Sequence, residues 1–346
     1  MSSSADSLPA PRKVVPYYVA DDPKGGALFL YGNPDSSNIA IFCAGFPDDH
    51  ETGQAFCSNL AEKNKTLVGL MCLPGYDDSS EKPWTTHKKG GYTFDEMAAT
   101  VRDAVKVLRT ESTTVEKAKL TGIFHDWGVM PGLLWANRSL EDDNADSPDE
   151  LVVFDVLPTV HKDQKKDVPG HEQTTISEKI ITWAYRIVLA IAFALQLYVS
   201  KTIALVFFVP AFTALGILGL QPTLKIDSKI FEARKPPLDP HRVIYMAYPY
   251  LNVFKEMYKM IFSSKVQSVF KMMTLTKDLK KTPILYLYGT DKRIMFHDNG
   301  AVKYLEREAK ENRSKSNAIA VENAGHYLYI HQPDRCLEEV MKFMAK

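Results

Sequence analysis

Leu120–Gly128 reads L-T-G-I-F-H-D-W-G. An apolar run ends at Phe124, and a helical pattern, Gly128–Asn137, continues from it through a tight turn. A sharp strand–turn–helix with Asp126 on the turn exposes that side chain at the top of a sheet, where a nucleophile is wanted. A carboxylate there attacks an alkyl carbon and becomes an ester. Asp126 could instead cap the helix that follows, since Asp is a favoured N-cap.

Working outward, short apolar runs bounded by turn residues recur along the chain. They are Tyr17–Ala20, Ala27–Tyr31, Ile39–Cys43, Leu67–Cys72, Leu120–Phe124, Leu151–Phe154, Ile284–Tyr288 and Ala318–Val321. Continuous apolar runs of this length suit strands covered on both faces. Between them lie helical patterns. Phe94–Arg109 carries Met97, Val101, Val105 and Leu108 on one face, and Pro333–Met344 carries Leu337, Val340 and Phe343. Strands alternating with helices predict an α/β fold with a mainly parallel, doubly wound sheet.

Open sheets of this kind bind ligands beyond the carboxyl ends of their strands, and three other spots lie there. Ala44-Gly45-Phe46-Pro47 follows a strand and can aim backbone N–H groups at a developing negative charge. His326 follows Gly325 after the last strand and can activate water. Asp291 follows the strand Leu285–Gly289 and can orient the histidine and stabilise its charged form. Each alone is an ordinary turn; in this order they form a hydrolytic constellation.

These residues resemble the epoxide hydrolases and haloalkane dehalogenases, α/β-hydrolase-fold enzymes with an aspartate nucleophile. H-D-W-G at 125–128 looks like their elbow. Further likeness lies in A-G-F-P-D at 44–48, L-P-G-Y-D-D-S-S-E-K-P at 73–83, Y-T-F-D-E-M at 92–97 and A-G-H-Y-L-Y-I-H-Q-P-D at 324–334. The resemblance covers roughly 25–155 and 280–346. It implies a mainly parallel eight-stranded sheet flanked by helices, with an inserted helical cap. It implies Asp126 as nucleophile, His326 as water-activating base, Phe46 and Trp127 as oxyanion amides, and Asp291 as orienting acid, with Asp298 and Asp155 as fallbacks. It also implies cap tyrosines that donate to an epoxide oxygen. Tyr245, Tyr248, Tyr250 and Tyr185 are the candidates, although core packing explains most tyrosines equally well. In the dehalogenase alternative Trp127 donates its indole N–H to a halide, and Trp183 or Asn323 would supply a second donor. Three positions depart from the pattern. Phe124 stands where a small residue precedes the elbow, Ala44 replaces His in the oxyanion loop, and G-T-D brings the acid one residue early.

The expected organisation is a loose segment at 1–16, a first part of the core at 17–157, a cap at 158–280 and a second part of the core at 281–346. Within the cap, residues 181–221 hold 30 apolar residues in 41, with Arg186 and Lys201 as the only charges. A spanning helix needs about 20 apolar residues. Both flanks belong to one sheet, so the chain must return to the same side: two spans or none. The readings are membrane contact through 181–221, with apolar helices dipping into one leaflet, or a dry buried cap.

The 346 residues carry 42 Lys+Arg and 42 Asp+Glu. That balance argues against nucleic acid as a partner. Four scattered cysteines read as free thiols of a reducing compartment rather than a disulfide scaffold or a zinc site. No metal or cofactor is expected. The N-terminus lacks an apolar core, so the expectation is an intracellular protein, cytoplasmic or membrane-associated and not secreted. The expected partner is an apolar small-molecule or lipid-like substrate. The competing reading is a non-catalytic lipid-binding or membrane-associated member of the fold.

Overall fold

The structure, a computed structural model, describes residues 10–20, 22–76, 88, 90–114, 118–142, 146–160, 176–221, 227, 239–262 and 273–345. The segments 1–9, 77–83 and 161–175, which carry parts of the expected N-terminal segment, motif and cap linker, lie outside the described residues.

Ten strands are described: β1 (Lys13–Val19), β2 (Asp22–Tyr31), β3 (Asn38–Cys43), β4 (Thr66–Met71), β5 (Lys119–His125), β6 (Glu150–Phe154), β7 (Val156–Leu157), β8 (Ile284–Gly289), β9 (Phe296–His297) and β10 (Asn317–Val321). Eight form the central sheet in the order β1-β2-β4-β3-β5-β6-β8-β10. β2 is antiparallel to both neighbours and every other pairing from β4 to β10 is parallel. This is the mainly parallel sheet that the apolar runs predict. β3 to β6 are buried along almost their whole length. Alternate residues feed two cores: Ile39, Ile41 and Cys43 on one face, Ala40, Phe42 and Ala44 on the other.

The helices in chain order are α1 (His50–Lys63), α2 (Phe94–Glu111), α3 (Val129–Glu141), α4 (Ile176–Tyr198), α5 (Lys201–Ile217), α6 (Pro240–Met246), α7 (Tyr248–Phe262), α8 (Asn299–Lys310), α9 (Leu328–His331) and α10 (Pro333–Met344). Local sequence fixes their starts. Thr93 and Glu96 form a reciprocal capping box on α2. Asp49 caps α1, and Ser200 caps α5. Helices α4–α7 all fall between β7 and β8, so the described residues of this stretch are mainly helical.

Phe124, bulky where a small residue is expected, is fully buried. Its ring lies over Gly132 of α3: a Cβ there would sit 2.6 Å from three ring atoms. The missing side chain on α3 makes room for the large one on β5. Gly132→Val is therefore expected to lower stability by about 1–3 kcal/mol through overpacking, more than the helix gains by losing a glycine, about 1 kcal/mol at most. Thermal denaturation of Gly132→Val, Phe124→Ala and the double variant checks this. The double variant should lose less than the sum of the two.

Candidate active site

The elbow is built at the end of β5. Asp126 has φ +49°, a left-handed conformation that Asp adopts at modest cost. Two glycines let the surrounding chain close on it. A Cβ on Gly128 would lie 2.5 Å from the Cys43 carbonyl oxygen. A Cβ on Gly45 would lie 2.4 Å from the Trp127 amide nitrogen and 2.5 Å from Asp126 Oδ2. The loop at Ala44–Pro47 and the turn at Asp126 thus approach backbone to backbone. The Phe46 N–H donates to Asp126 Oδ2 at 2.7 Å. The other carboxylate oxygen, Oδ1, faces His326 Nε2 at 3.6 Å.

His326 Nδ1 is hydrogen-bonded to Asp155 Oδ2 at 2.5 Å. The structure pairs the histidine with Asp155, placed directly after β6, rather than with Asp291. Asp291 is exposed, and its backbone N–H donates to Ala324 O at 2.9 Å. Asp298 is taken up elsewhere: it caps α8 by accepting from the Ala301 N–H at 3.0 Å. Asp155 holds two cations, because Lys292 Nζ also pairs with its Oδ1 and both side chains are fully buried. Burial alone would raise the Asp155 carboxyl; Lys292 and His326 outweigh it and hold the group well below the usual carboxylate range. Burial alone would lower His326; Asp155, then Asp126 and Asp227, push it up to about 9. His326 is therefore charged at neutral pH.

Behind the elbow His125 is fully buried. Its Nε2 lies 3.1 Å from the His326 carbonyl oxygen, and its Nδ1 lies 3.4 Å from Asp48 Oδ2. It ties His326 and Asp48 to β5.

Of the four candidate tyrosines, Tyr250 and Tyr185 lie on the side of Asp126, and Tyr245 and Tyr248 pack elsewhere. Tyr250 packs edge-on against Phe46, Trp127 and Tyr185, at ring separations of 5.2, 4.8 and 5.9 Å. Both Tyr250 and Tyr185 interact electrostatically with Asp126. Tyr248 instead donates to Pro74 O at 3.0 Å and is wedged between Tyr76 and Tyr92. Tyr245 packs on Gly75. The Trp127 side chain hydrogen-bonds Tyr250. Indole N–H only donates, so the Tyr250 oxygen accepts, leaving its own proton to give.

A cavity of about 630 Å³ opens over Asp126, within the range of about 300–1,000 Å³ common for small-molecule sites. Trp127, Met130, Val156 and Leu157 line its floor, and Met295–Asn299 and one side of α4 form the walls. The short β7–β9 pairing joins the chain after Asp155 to the wall segment. His297 in that wall is pulled down to about 4, chiefly by burial and then by Lys292, so it is neutral. Trp183 lines the cavity; Asn323 is exposed on the turn after β10. Among the described residues no group of three or more His, Cys, Asp or Glu could hold a metal ion.

Sequence reasoning missed Lys292, Arg186 and His125 as parts of this site. Lys292 directly follows the expected acid Asp291 and carried no signal of its own. Arg186 was visible as one of two charges in the apolar insert.

No family model and no curated protein matches the sequence. Solved structures do match. An epoxide hydrolase from metagenomes of hot environments gives a TM-score of 0.57 at 15% identity, covering 96% of this chain and 97% of that one. A variant of potato epoxide hydrolase gives 0.53 at 14%, covering 96% and 99%. A loop variant of a haloalkane dehalogenase from Bradyrhizobium elkanii gives 0.53 at 13%, covering 96% of each. At such identities the likeness is one of fold. The chain has the α/β-hydrolase fold.

Proposed function

We propose that the protein is a hydrolase of the epoxide hydrolase type. The observation that carries this is the arrangement around one carboxylate. Asp126 Oδ2 takes the Phe46 amide, while Oδ1 faces a histidine already paired to Asp155. Oδ1 attacks a ring carbon of an epoxide and the C–O bond breaks. The electron pair goes to the ring oxygen, which takes a proton from Tyr250 or Tyr185. His326 then removes a proton from water, which attacks Cγ of the ester. The negative charge develops on Oδ2, where the Phe46 N–H already points. The ester C–O bond breaks and the diol leaves. Of the two protons that water brings, one goes to the departing alkoxide and one restores the tyrosine.

His326→Gln tests this reading. Incubated with an epoxide panel, the variant should gain the mass of one epoxide on Asp126 and stall, because ester formation does not need the base and hydrolysis does. Intact-mass and peptide spectra read the result. No ester with any epoxide would count against the reading. The dehalogenase alternative keeps one support, Trp183 in the cavity wall. The Trp127–Tyr250 bond favours the epoxide, since it occupies the indole N–H that a halide would need.

The cap adds a proposal about location on a surface. α4 is 23 residues long, and an 18-residue window of it has mean hydropathy 1.8 with 28% of that window buried. It packs beside α5 as a hairpin, and large apolar side chains of both face outward. Val206 is 70% and Ile217 82% exposed, and Ile261 and Phe262 at the end of α7 are likewise exposed. So large an apolar surface supports a helix pair lying in a membrane interface. The protein is expected to float with phosphatidylcholine vesicles. Val206→Asp with Ile217→Asp should abolish flotation while changing stability by only about 0.5 kcal/mol per site. Flotation unaffected by the double substitution would remove this face from consideration.

A further inference from the structure

α4 is apolar along most of its length, yet one side of its first half is polar where it meets the cavity. Glu178, Lys179, Thr182 and Arg186 all line it, at spacings that put them on one side of a helix. Glu178 and Lys179 sit together in the first turn and offset each other in charge. Arg186 lies about two turns further along. Its Nε donates to Tyr185 Oη at 3.4 Å, and its charge interacts with Tyr250 and with Asp126. Among the described residues no carboxylate forms an ion pair with it. A guanidinium drawn partly out of water on an apolar helix is unfavourable unless something pairs with it. A neutral alkyl epoxide offers it nothing.

In the resting site the Asp126 carboxylate supplies negative charge near Arg186. Ester formation moves that charge to the tyrosine that gives its proton and still brings no carboxylate to the guanidinium. A substrate with its own carboxylate does. The same cation also serves on entry: an anionic substrate approaching the Asp126 carboxylate is repelled unless a positive group offsets it.

We infer that the substrate is an epoxide carrying a carboxylate on or next to the ring, with an apolar chain. Arg186 receives the carboxylate, its fork of donors suited to the planar group. Trp127, Met130, Val156, Leu157 and Phe296 take the chain. This rests on the hydrolytic reading of Asp126 and names its substrate class.

Binding and turnover test it separately. The binding probes are 2-hydroxydecanoate and 1,2-decanediol, measured by calorimetry on the full-length protein. The wild type is expected to bind the acid at least about 10-fold more tightly than the diol. Arg186→Met should weaken the acid by about 10- to 100-fold, the usual range for losing a charged hydrogen bond, and leave the diol within about 2-fold. Arg186→Lys should keep part of the preference, and an unchanged Tm shows that each variant is folded. Equal affinity for acid and diol in the wild type, or a preference that survives Arg186→Met, overturns the inference. Turnover uses an alkyl oxirane-carboxylate and its methyl ester. Arg186→Met should lower kcat/KM for the acid at least about 10-fold more than for the methyl ester. An equal loss on both would assign Arg186 to Tyr185 instead of to substrate. If neither epoxide labels Asp126, the hydrolytic reading fails, and the binding preference still decides whether the cavity is an anion site.

Discussion

Asp126→Asn is expected to reduce epoxide turnover by about 10⁴-fold or more, the scale on which removal of a nucleophile acts, with the fold intact. Asn is the right replacement because the residue stands at φ +49°. Asn tolerates that region almost as Asp does, whereas Ala would add backbone strain of its own. The amide can still present an oxygen to the Phe46 N–H, so the contact seen at 2.7 Å has a surrogate. On the proposed mechanism, what is lost is the negative Oδ1 that attacks carbon. A second readout separates this role from helix capping. Asp126 is one of the carboxylates that push His326 up to about 9. Removing its charge should move the histidine downward, measurable by NMR titration of the imidazole. A helix cap would show neither the loss of turnover nor the shift. Full turnover by Asp126→Asn with any substrate found would exclude the carboxylate mechanism.

The place of Asp126 on a turn after a strand was legible because one local pattern, strand–turn–helix with Gly128, sets it. The sheet was legible for a related reason: eight apolar runs bounded by turns correspond to the eight strands of the central sheet. The acid was harder to read. Asp155 and Asp291 both follow strands that approach the base, and the sequence carries no distance across the sheet. β6 lies between β5 and β8, and its last residue, Phe154, runs straight into Asp155 at φ +65°. That turn brings the carboxylate beneath His326, while Asp291 faces solvent. Composition pointed to Tyr245–Tyr250 as a whole. The break between α6 and α7 at Ala247 sorts them: Tyr245 and Tyr248 pack on the loop at Pro74–Gly75, and Tyr250 faces Trp127. The role of Phe124 depended on Gly132, eight residues away and meaningful only once α3 lies against β5.

Asp155→Asn should have the widest effect of any single change, because the carboxylate serves His326 and Lys292 at once. Catalytically it fixes which imidazole nitrogen faces the ester. An amide can hold the ring in the wrong tautomer, a defect that costs about 10⁴-fold in hydrolases with a comparable acid–histidine pair. Ester formation does not need the base, so the variant should accumulate ester on Asp126. Structurally, the change leaves Lys292 fully buried without its partner. Removing one member of a buried ion pair costs about 3–5 kcal/mol, readable as a lower denaturation midpoint. The pH dependence carries the sign. Wild-type hydrolysis of the ester requires neutral His326, so it rises with pH, at a midpoint below the resting value of about 9 because esterified Asp126 no longer contributes. Native-state stability runs the other way. A histidine raised from 6.5 to about 9 stabilises fully below 6.5, and that contribution fades as pH rises toward 9. In Asp155→Asn the burial that lowers His326 meets less opposition, so both profiles should move to lower pH. The double variant Asp155→Asn with Lys292→Met should regain stability but not turnover, because it removes the stranded charge and leaves the histidine unoriented. Recovery of turnover in the double variant would mean that Asp155 acts only by neutralising Lys292.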